Sequence, residues 1–92
     1  VPESAAIQYR YALALYLDGQ PEPAERALRE ACRLEPENDQ FLHFLVLFLD
    51  KYERYDEALT AVNRLVQLRP GVPAYTRLVQ EIRDRQSGSD QK

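Results

Sequence analysis

The chain has 92 residues, which is enough for one small domain, and its 45% hydrophobic and 29% charged side chains are ordinary globular usage. Its net charge of −3 argues against a nucleic-acid-binding surface, which is normally basic, and against an anionic membrane as the partner. The single cysteine, Cys32, rules out an internal disulfide. The longest apolar run, Phe41 to Leu49, is shorter than the about 20 residues that span a bilayer, so direct membrane insertion is not expected.

No basic-then-apolar signal sequence opens the chain, which begins at Val1 and contains no methionine. We expect an excised or processed segment of a longer protein, with removal of an initiator methionine as the alternative. The compartment stays unassigned, and the cytoplasm is slightly favoured.

Two helices are predicted in the first part of the chain. The first begins at about Ser4, a suitable N-cap, and ends just before Gly19, which supplies the left-handed conformation that often follows a helix. The second begins near Pro21, because the first turn of a helix does not need the N–H that proline lacks. It ends at Leu34, since Pro36 keeps the residue before it out of the α region.

Two more helices follow. The third is predicted to start after Asn38 or Asp39, both favourable caps, and to end near Lys51. The fourth runs from about Asp56 to residue 68, where a Pro-Gly pair follows.

A fifth helix is predicted from Pro73, a favoured first helical residue, to about residue 85. The polar tail 87–92 is expected to be disordered. No alternating β pattern occurs in the sequence, so we predict an all-α fold of five helices.

The sequence matches itself when it is shifted by 34 residues. The coinciding positions are Leu13 with Leu47, Leu15 with Leu49, Ala24 with Ala58, Ala27 with Ala61, Leu34 with Leu68, and Pro36 with Pro70. These are small, apolar or helix-ending positions, whereas surface positions such as Glu30 and Arg64 differ. Packing, and not surface chemistry, therefore fixes the period.

The second helix of each unit carries one recurring spacing. The sequence reads Ala24-x3-Leu28-x2-Ala31 and then Pro36, and later Ala58-x3-Val62-x2-Leu65 and then Pro70. This pattern, at a period of 34 residues, resembles the tetratricopeptide repeat (TPR) over about residues 5 to 85. The resemblance implies close helix approach at the first alanine of each motif.

The resemblance also implies a domain organisation. The domain, residues 1–86, would be a right-handed superhelix of two helix-turn-helix units, residues 5–38 and 39–72, followed by a capping helix, residues 73–85. The first helices depart from the family pattern. The family's small residue is Ala12 in one unit but Val46 in the next, and the turn glycine Gly19 becomes Glu53. We therefore expect looser packing in the second hairpin.

The fifth helix repeats the apolar stripe of the two earlier first helices. The stripes are Ile7, Tyr11 and Ala14, then Phe41, Leu45 and Phe48, then Tyr75, Val79 and Ile82. The spacing i, i+4, i+7 places each set on one face of its helix. The remaining faces of the fifth helix are charged, as the terminal helix of a solenoid requires.

No residue set indicates catalysis or metal binding. His43 and Cys32 are the only histidine and cysteine, they lie in different predicted helices, and no glycine-rich phosphate loop is present. We predict no enzyme activity, no cofactor and no metal site, and we interpret Cys32 as a buried structural thiol.

The resemblance implies a scaffold that binds a protein or peptide in a concave groove lined by the first helices. By the family pattern, the groove residues are Tyr9, Leu13, Tyr16, Gln40, His43, Leu47, Arg77 and Glu81. Some relatives clamp a partner's carboxylate with lysine and asparagine, but this set is mostly aromatic and aliphatic. Such a surface favours an apolar or amphipathic segment, either an extended peptide or a helix. The alternative is that these side chains close against each other.

A second hypothesis follows from the number of repeats. Repeat proteins of this kind usually need at least about three repeats for stability, and two repeats bury less apolar surface than three. Apolar surface that stays exposed often marks an interaction site. The module would then self-associate, or stack on neighbouring repeats of a longer TPR-containing protein. A third reading is a fragment that regulates an attached enzyme.

Overall fold

The computed structural model describes residues 4–90, with side chains described as far as residue 88. Its helices are α1 (Ala5–Leu17), α2 (Pro21–Leu34), α3 (Asp39–Lys51), α4 (Tyr55–Leu68) and α5 (Pro73–Asp90). No strand occurs in this described range, and the predicted all-α helical repeat is confirmed. Every helix begins within one residue of its predicted start. A proline or a capping residue type marks the starts of α1, α2, α3 and α5, whereas α4 begins after Arg54, which makes no side-chain cap.

The C-terminal end of α5 differs from the expectation. The sequence predicts that the helix ends near residue 85 and that the tail 87–92 is disordered, but the helix continues to Asp90. Residues 91 and 92 lie outside the described residues. Two side chains at the expected end hold α5 in place, because Arg85 donates to Asp50 and Gln86 donates to Asp56. Once a helix is held in this way, each further residue adds a hydrogen bond at low cost.

The chain divides into two compact units between residues 41 and 42, a boundary inside α3. In unit 1, α1 packs against α2. The buried side chains of unit 1 are Ala5, Ala12, Leu15, Ala24, Ala27, Leu28, Ala31 and Phe41. The four from α2 have the spacing i, i+3, i+4, i+7 and form one stripe. The repeat motif that begins at Ala24 is therefore the packing face of α2.

In unit 2, α4 packs against α5. Its buried side chains are Leu42, Leu45, Val46, Phe48 and Leu49 of α3, Ala58, Ala61, Val62 and Leu65 of α4, and Leu78 and Ile82 of α5. The stripe on α4 has the same spacing as the stripe on α2. Val46, the residue that replaces the small residue of the family pattern, is fully buried.

The helix ends use local chemistry that the sequence indicates in part. The Asn38 side chain accepts a hydrogen bond of 3.2 Å from the backbone N–H of Phe41, which caps α3. Ser4 has the extended backbone of an N-cap, but its side chain makes no capping hydrogen bond. Gly19 has φ +75°, whereas the equivalent Glu53 is held at φ +60° without the freedom of a glycine.

Candidate functional site

The predicted site residues of unit 1 lie mainly on one face of α1. Tyr9, Leu13 and Tyr16 have the spacing i, i+4, i+7 and all three are half-buried. The ring of Tyr9 stacks on Phe41 with centroids 4.7 Å apart and an interplanar angle of 28°. Tyr9 also packs against the buried cluster of Ala5, Ala31 and Phe41. Its ring is therefore part of the packing of unit 1 as well as of this face.

The predicted site residues of unit 2 begin with His43 on α3. This half-buried side chain meets Tyr75 of α5 edge to face, with ring centroids 5.2 Å apart and an interplanar angle of 66°. Tyr75 is absent from the predicted set. The periodicity of α5 assigns it to the packing stripe, and no local pattern indicates that its ring meets α3. The contact fixes the orientation of the imidazole on this surface.

Leu47 lies one turn after His43 and is 44% exposed. The other apolar side chains of α3 behave differently. Phe41, Leu42, Leu45, Val46, Phe48 and Leu49 are buried, and Phe44 is half-buried. Leu47 is thus the one apolar side chain of α3 that is exposed to solvent.

Asp50 continues the stripe of His43 and Leu47 at i+7, and Arg85 of α5 neutralises its charge. The Arg85 guanidinium donates two hydrogen bonds to the carboxylate, from Nε at 2.8 Å and from Nη2 at 2.6 Å. This pairing raises the pKa of the Arg85 guanidinium further above its usual high value, so the side chain stays charged. The stripe on α3 therefore combines an imidazole, an exposed leucine and a paired carboxylate.

The remaining predicted residues are polar and exposed. Arg77 and Glu81 lie one turn apart on α5, and Gln40 lies in the first turn of α3. Arg77 also lines a shallow depression together with Gly71, Pro73, Thr76 and Gln80. Within each unit, the predicted residues of one helix thus share a face of that helix.

Neither a metal-binding cluster nor a membrane-spanning helix occurs in the part of the chain that the structure describes. Among the described residues, no three or more His, Cys, Asp or Glu side chains are grouped so that they could hold a metal ion. Over the same part of the chain, no helix combines the length and the apolar character needed to cross a membrane.

Comparison with known protein families identifies the family of this chain. No curated protein matches the chain. The family model for the tetratricopeptide repeat matches residues 15–82, which is more than half of the 92 residues. TPR domains generally bind protein partners, and the repeats are typically non-enzymatic scaffolds. The match includes the packing motifs of both α2 and α4, and the chain belongs to the tetratricopeptide repeat family.

Proposed function

We propose that this chain is a non-catalytic scaffold that binds a peptide or a helix of a partner protein along its first helices. The predicted binding surface consists of Tyr9, Leu13, Tyr16, Gln40, His43, Leu47, Arg77 and Glu81. The observation that carries the proposal is Leu47, which is 44% exposed on a helix whose other apolar side chains are buried or half-buried. An exposed leucine between polar groups is suited to anchor an apolar side chain of a partner.

The chemistry around Leu47 supports an amphipathic ligand. His43 lies one turn before it and can donate or accept a hydrogen bond, while the charge of Asp50 is already matched by Arg85. Lys51 is adjacent to the ring of Tyr52, with its Nζ 5.9 Å from the ring centroid. Lys51 is not among the predicted surface residues, and Arg77 is the one arginine or lysine of that set. The surface therefore suits an apolar segment better than an isolated carboxylate.

The test uses peptides selected from a random library on the wild-type chain. Leu47→Ala is expected to weaken binding about tenfold, since truncating an interface anchor costs more than about 1 kcal/mol. Ile7→Ala is the matched control, because Ile7 is also an exposed aliphatic residue but lies on another face of α1. Isothermal titration gives both affinities, and circular dichroism checks that the variants stay folded. Unchanged binding by Leu47→Ala would remove Leu47 from the surface, and failure to select any peptide would count against the scaffold role.

A second candidate function is self-association or stacking on other repeats. Ile7 and Tyr11, one turn apart on α1, are 64% and 57% exposed, so no helix that the structure describes covers this apolar face of α1. Exposed apolar patches on helices often mark interfaces. Sedimentation velocity over a concentration series tests it, because a chain that stays monomeric throughout does not self-associate.

A further inference from the structure

The exposed side of α1 carries more than two apolar residues. We define the outer face of α1 by the side chains that share this side of the helix and are all exposed. They are Ile7, Arg10, Tyr11, Ala14, Leu17 and Asp18. Leu17 is 82% exposed. This face is distinct from the one that carries Tyr9, Leu13 and Tyr16.

The chain's own repeats show what such a face does elsewhere. Phe41 of α3 is the repeat equivalent of Ile7, and within unit 1 it is buried in one cluster with Ala31, with Leu34 packed against them. Ile82 of α5 is the equivalent of Ala14; it is fully buried in unit 2, where α5 packs against α4. In both cases a helix packs against the position that is equivalent to an exposed position on the outer face of α1. The outer face of α1 therefore corresponds to positions that are buried by helix packing elsewhere in the chain.

Three residues of α1 differ in chemical type from the equivalent residues of α3 and α5, and they indicate which helix could pack on the outer face. Along one line of the outer face, α1 has Arg10, Ala14 and Asp18, each one turn from the next. The equivalent residues are Phe44, Phe48 and Tyr52 on α3, and Leu78, Ile82 and Gln86 on α5. A positive charge, a small residue and a negative charge in a row are complementary to the same row running in the opposite direction.

The two charges are poorly matched among the residues that the structure describes. Asp18 is the C-cap of α1, where the helix dipole disfavours a negative charge, and the last turn of α1 contains no basic residue. Its carboxylate accepts a hydrogen bond of 2.6 Å from the Gln20 amide, which is neutral. Arg10 makes no ion pair with any residue that the structure describes. An arginine beside Asp18 and a carboxylate beside Arg10 would stabilise both.

We infer that the outer face of α1 pairs in antiparallel fashion with the same face of a second copy of this chain. The inference rests on the self-association proposed above and names its surface. Ala14 lies at the twofold axis and allows the two helices to approach closely, and Arg10 of each copy pairs with Asp18 of the other. Ile7, Tyr11 and Leu17 supply apolar contact on either side. A twofold interface requires this self-complementarity, because the same patch is used by both subunits.

The dimer is expected to be weak and sensitive to salt. One face of a 13-residue helix gives an interface at the small end of specific complexes, so we expect a dissociation constant of about 10 µM to 1 mM. The two ion pairs are exposed, so raising the salt concentration from about 0.01 M to 1 M should weaken the dimer.

Charge reversal tests the register directly. Arg10→Glu puts two negative charges on the face, and Asp18→Arg puts two positive charges there, so each variant alone should dimerise at least about tenfold more weakly than the wild type. A mixture of the two variants restores both ion pairs and should form a heterodimer. Sedimentation velocity measures all three samples. Arg83→Glu, an equal charge change at an exposed position of α5, is the control and should leave dimerisation unchanged.

The outcomes separate this inference from the functions proposed above. Weak single variants together with a restored mixture support the antiparallel α1 pair. A wild-type dimer that neither charge reversal weakens overturns this pair but keeps self-association. A wild-type chain that is monomeric up to about 1 mM removes both, since it excludes the affinity range expected for one helix face. None of these results affects peptide binding through Leu47.

Discussion

Arg85 near the C-terminal end of α5 and Asp50 in the last turn of α3 are joined by a two-point ion pair across 35 residues of sequence. The Asp50 side chain is 16% exposed and the Arg85 side chain is 44% exposed, so the pair is partly shielded from water. Gln86, the next residue of α5, donates to Asp56 of α4 at 2.6 Å. These contacts hold the second half of α5 against the rest of unit 2.

The coupling between Arg85 and Asp50 is the first testable quantity. In a double-mutant cycle with Asp50→Ala and Arg85→Ala, we expect a coupling free energy of about 0.5–1 kcal/mol, the upper part of the range for exposed pairs because the geometry is bidentate. Urea unfolding of the four proteins provides the measurement. A second cycle, which combines Asp50→Ala with Arg83→Ala at an exposed position, should give a coupling free energy near zero. Equal couplings for the two arginines would contradict the structural assignment.

The turn between α3 and α4 contains a strained residue. Glu53 has φ +60°, a conformation that costs a non-glycine residue roughly 1 kcal/mol, while Gly19 occupies the equivalent turn of the first repeat. Glu53→Gly should therefore raise the free energy of unfolding by about 0.5–1 kcal/mol in thermal or urea unfolding.

The reverse change is the control for this turn. Gly19→Ala should lower stability by about 1 kcal/mol, because alanine is strained at φ +75° although no atom lies within 4 Å of the added Cβ. A destabilising Glu53→Gly would mean that the Glu53 side chain contributes more than its backbone costs.

The N-terminal caps of α1 and α3 predict stability losses of different size when the capping residue is replaced by alanine. Asn38→Ala removes the hydrogen bond to the backbone of Phe41 and should cost about 1 kcal/mol. Ser4→Ala should change stability by less than about 0.5 kcal/mol, because the Ser4 side chain makes no capping bond. Thermal unfolding of both variants gives the comparison. A larger loss for Ser4→Ala than for Asn38→Ala would refute this ranking.

Tyr9 is expected to affect stability as well as binding. Tyr9→Ala removes the stack on Phe41 and half-buried apolar area, and should lower the free energy of unfolding by about 1–2 kcal/mol. Tyr9→Phe keeps the stack, so it is the better variant for a binding assay. Tyr11→Ala, on the exposed face of α1, is the control and should change stability by no more than about 0.5 kcal/mol. If Tyr9→Ala proves as stable as the control, the stack contributes little.

The helices of this chain could be predicted because their boundaries depend on neighbouring residues. Pro21, Asn38 and Pro73 mark the starts of α2, α3 and α5, and the 34-residue period assigns the packing stripes of α2 and α4. The extent of α5 could not be predicted in this way. It depends on the contacts of Arg85 and Gln86 with residues more than 29 positions away, which leave no local pattern.

The candidate site was predictable only at the level of helix faces. Tyr9, Leu13 and Tyr16, which the family pattern predicts for the groove, have the spacing i, i+4, i+7 and share one face of α1. The contacts that restrain its aromatic groups are tertiary, since His43 meets a ring on a helix two elements later in the chain. Whether an apolar residue such as Leu47 is exposed depends on its neighbours in space. The run from Phe41 to Leu49 is apolar except for His43, so the sequence gives no local sign of that difference.

The thiol of Cys32 allows the local opening of unit 1 to be measured kinetically. It is the single thiol of the chain, and it is half-buried against the cluster of Ala5, Ala31 and Phe41 in unit 1. A thiol-reactive probe labels such a side chain faster when the surrounding packing opens. The labelling rate at increasing denaturant concentration therefore reports the local opening of unit 1, and its comparison with global unfolding shows whether the two repeats melt together or one before the other.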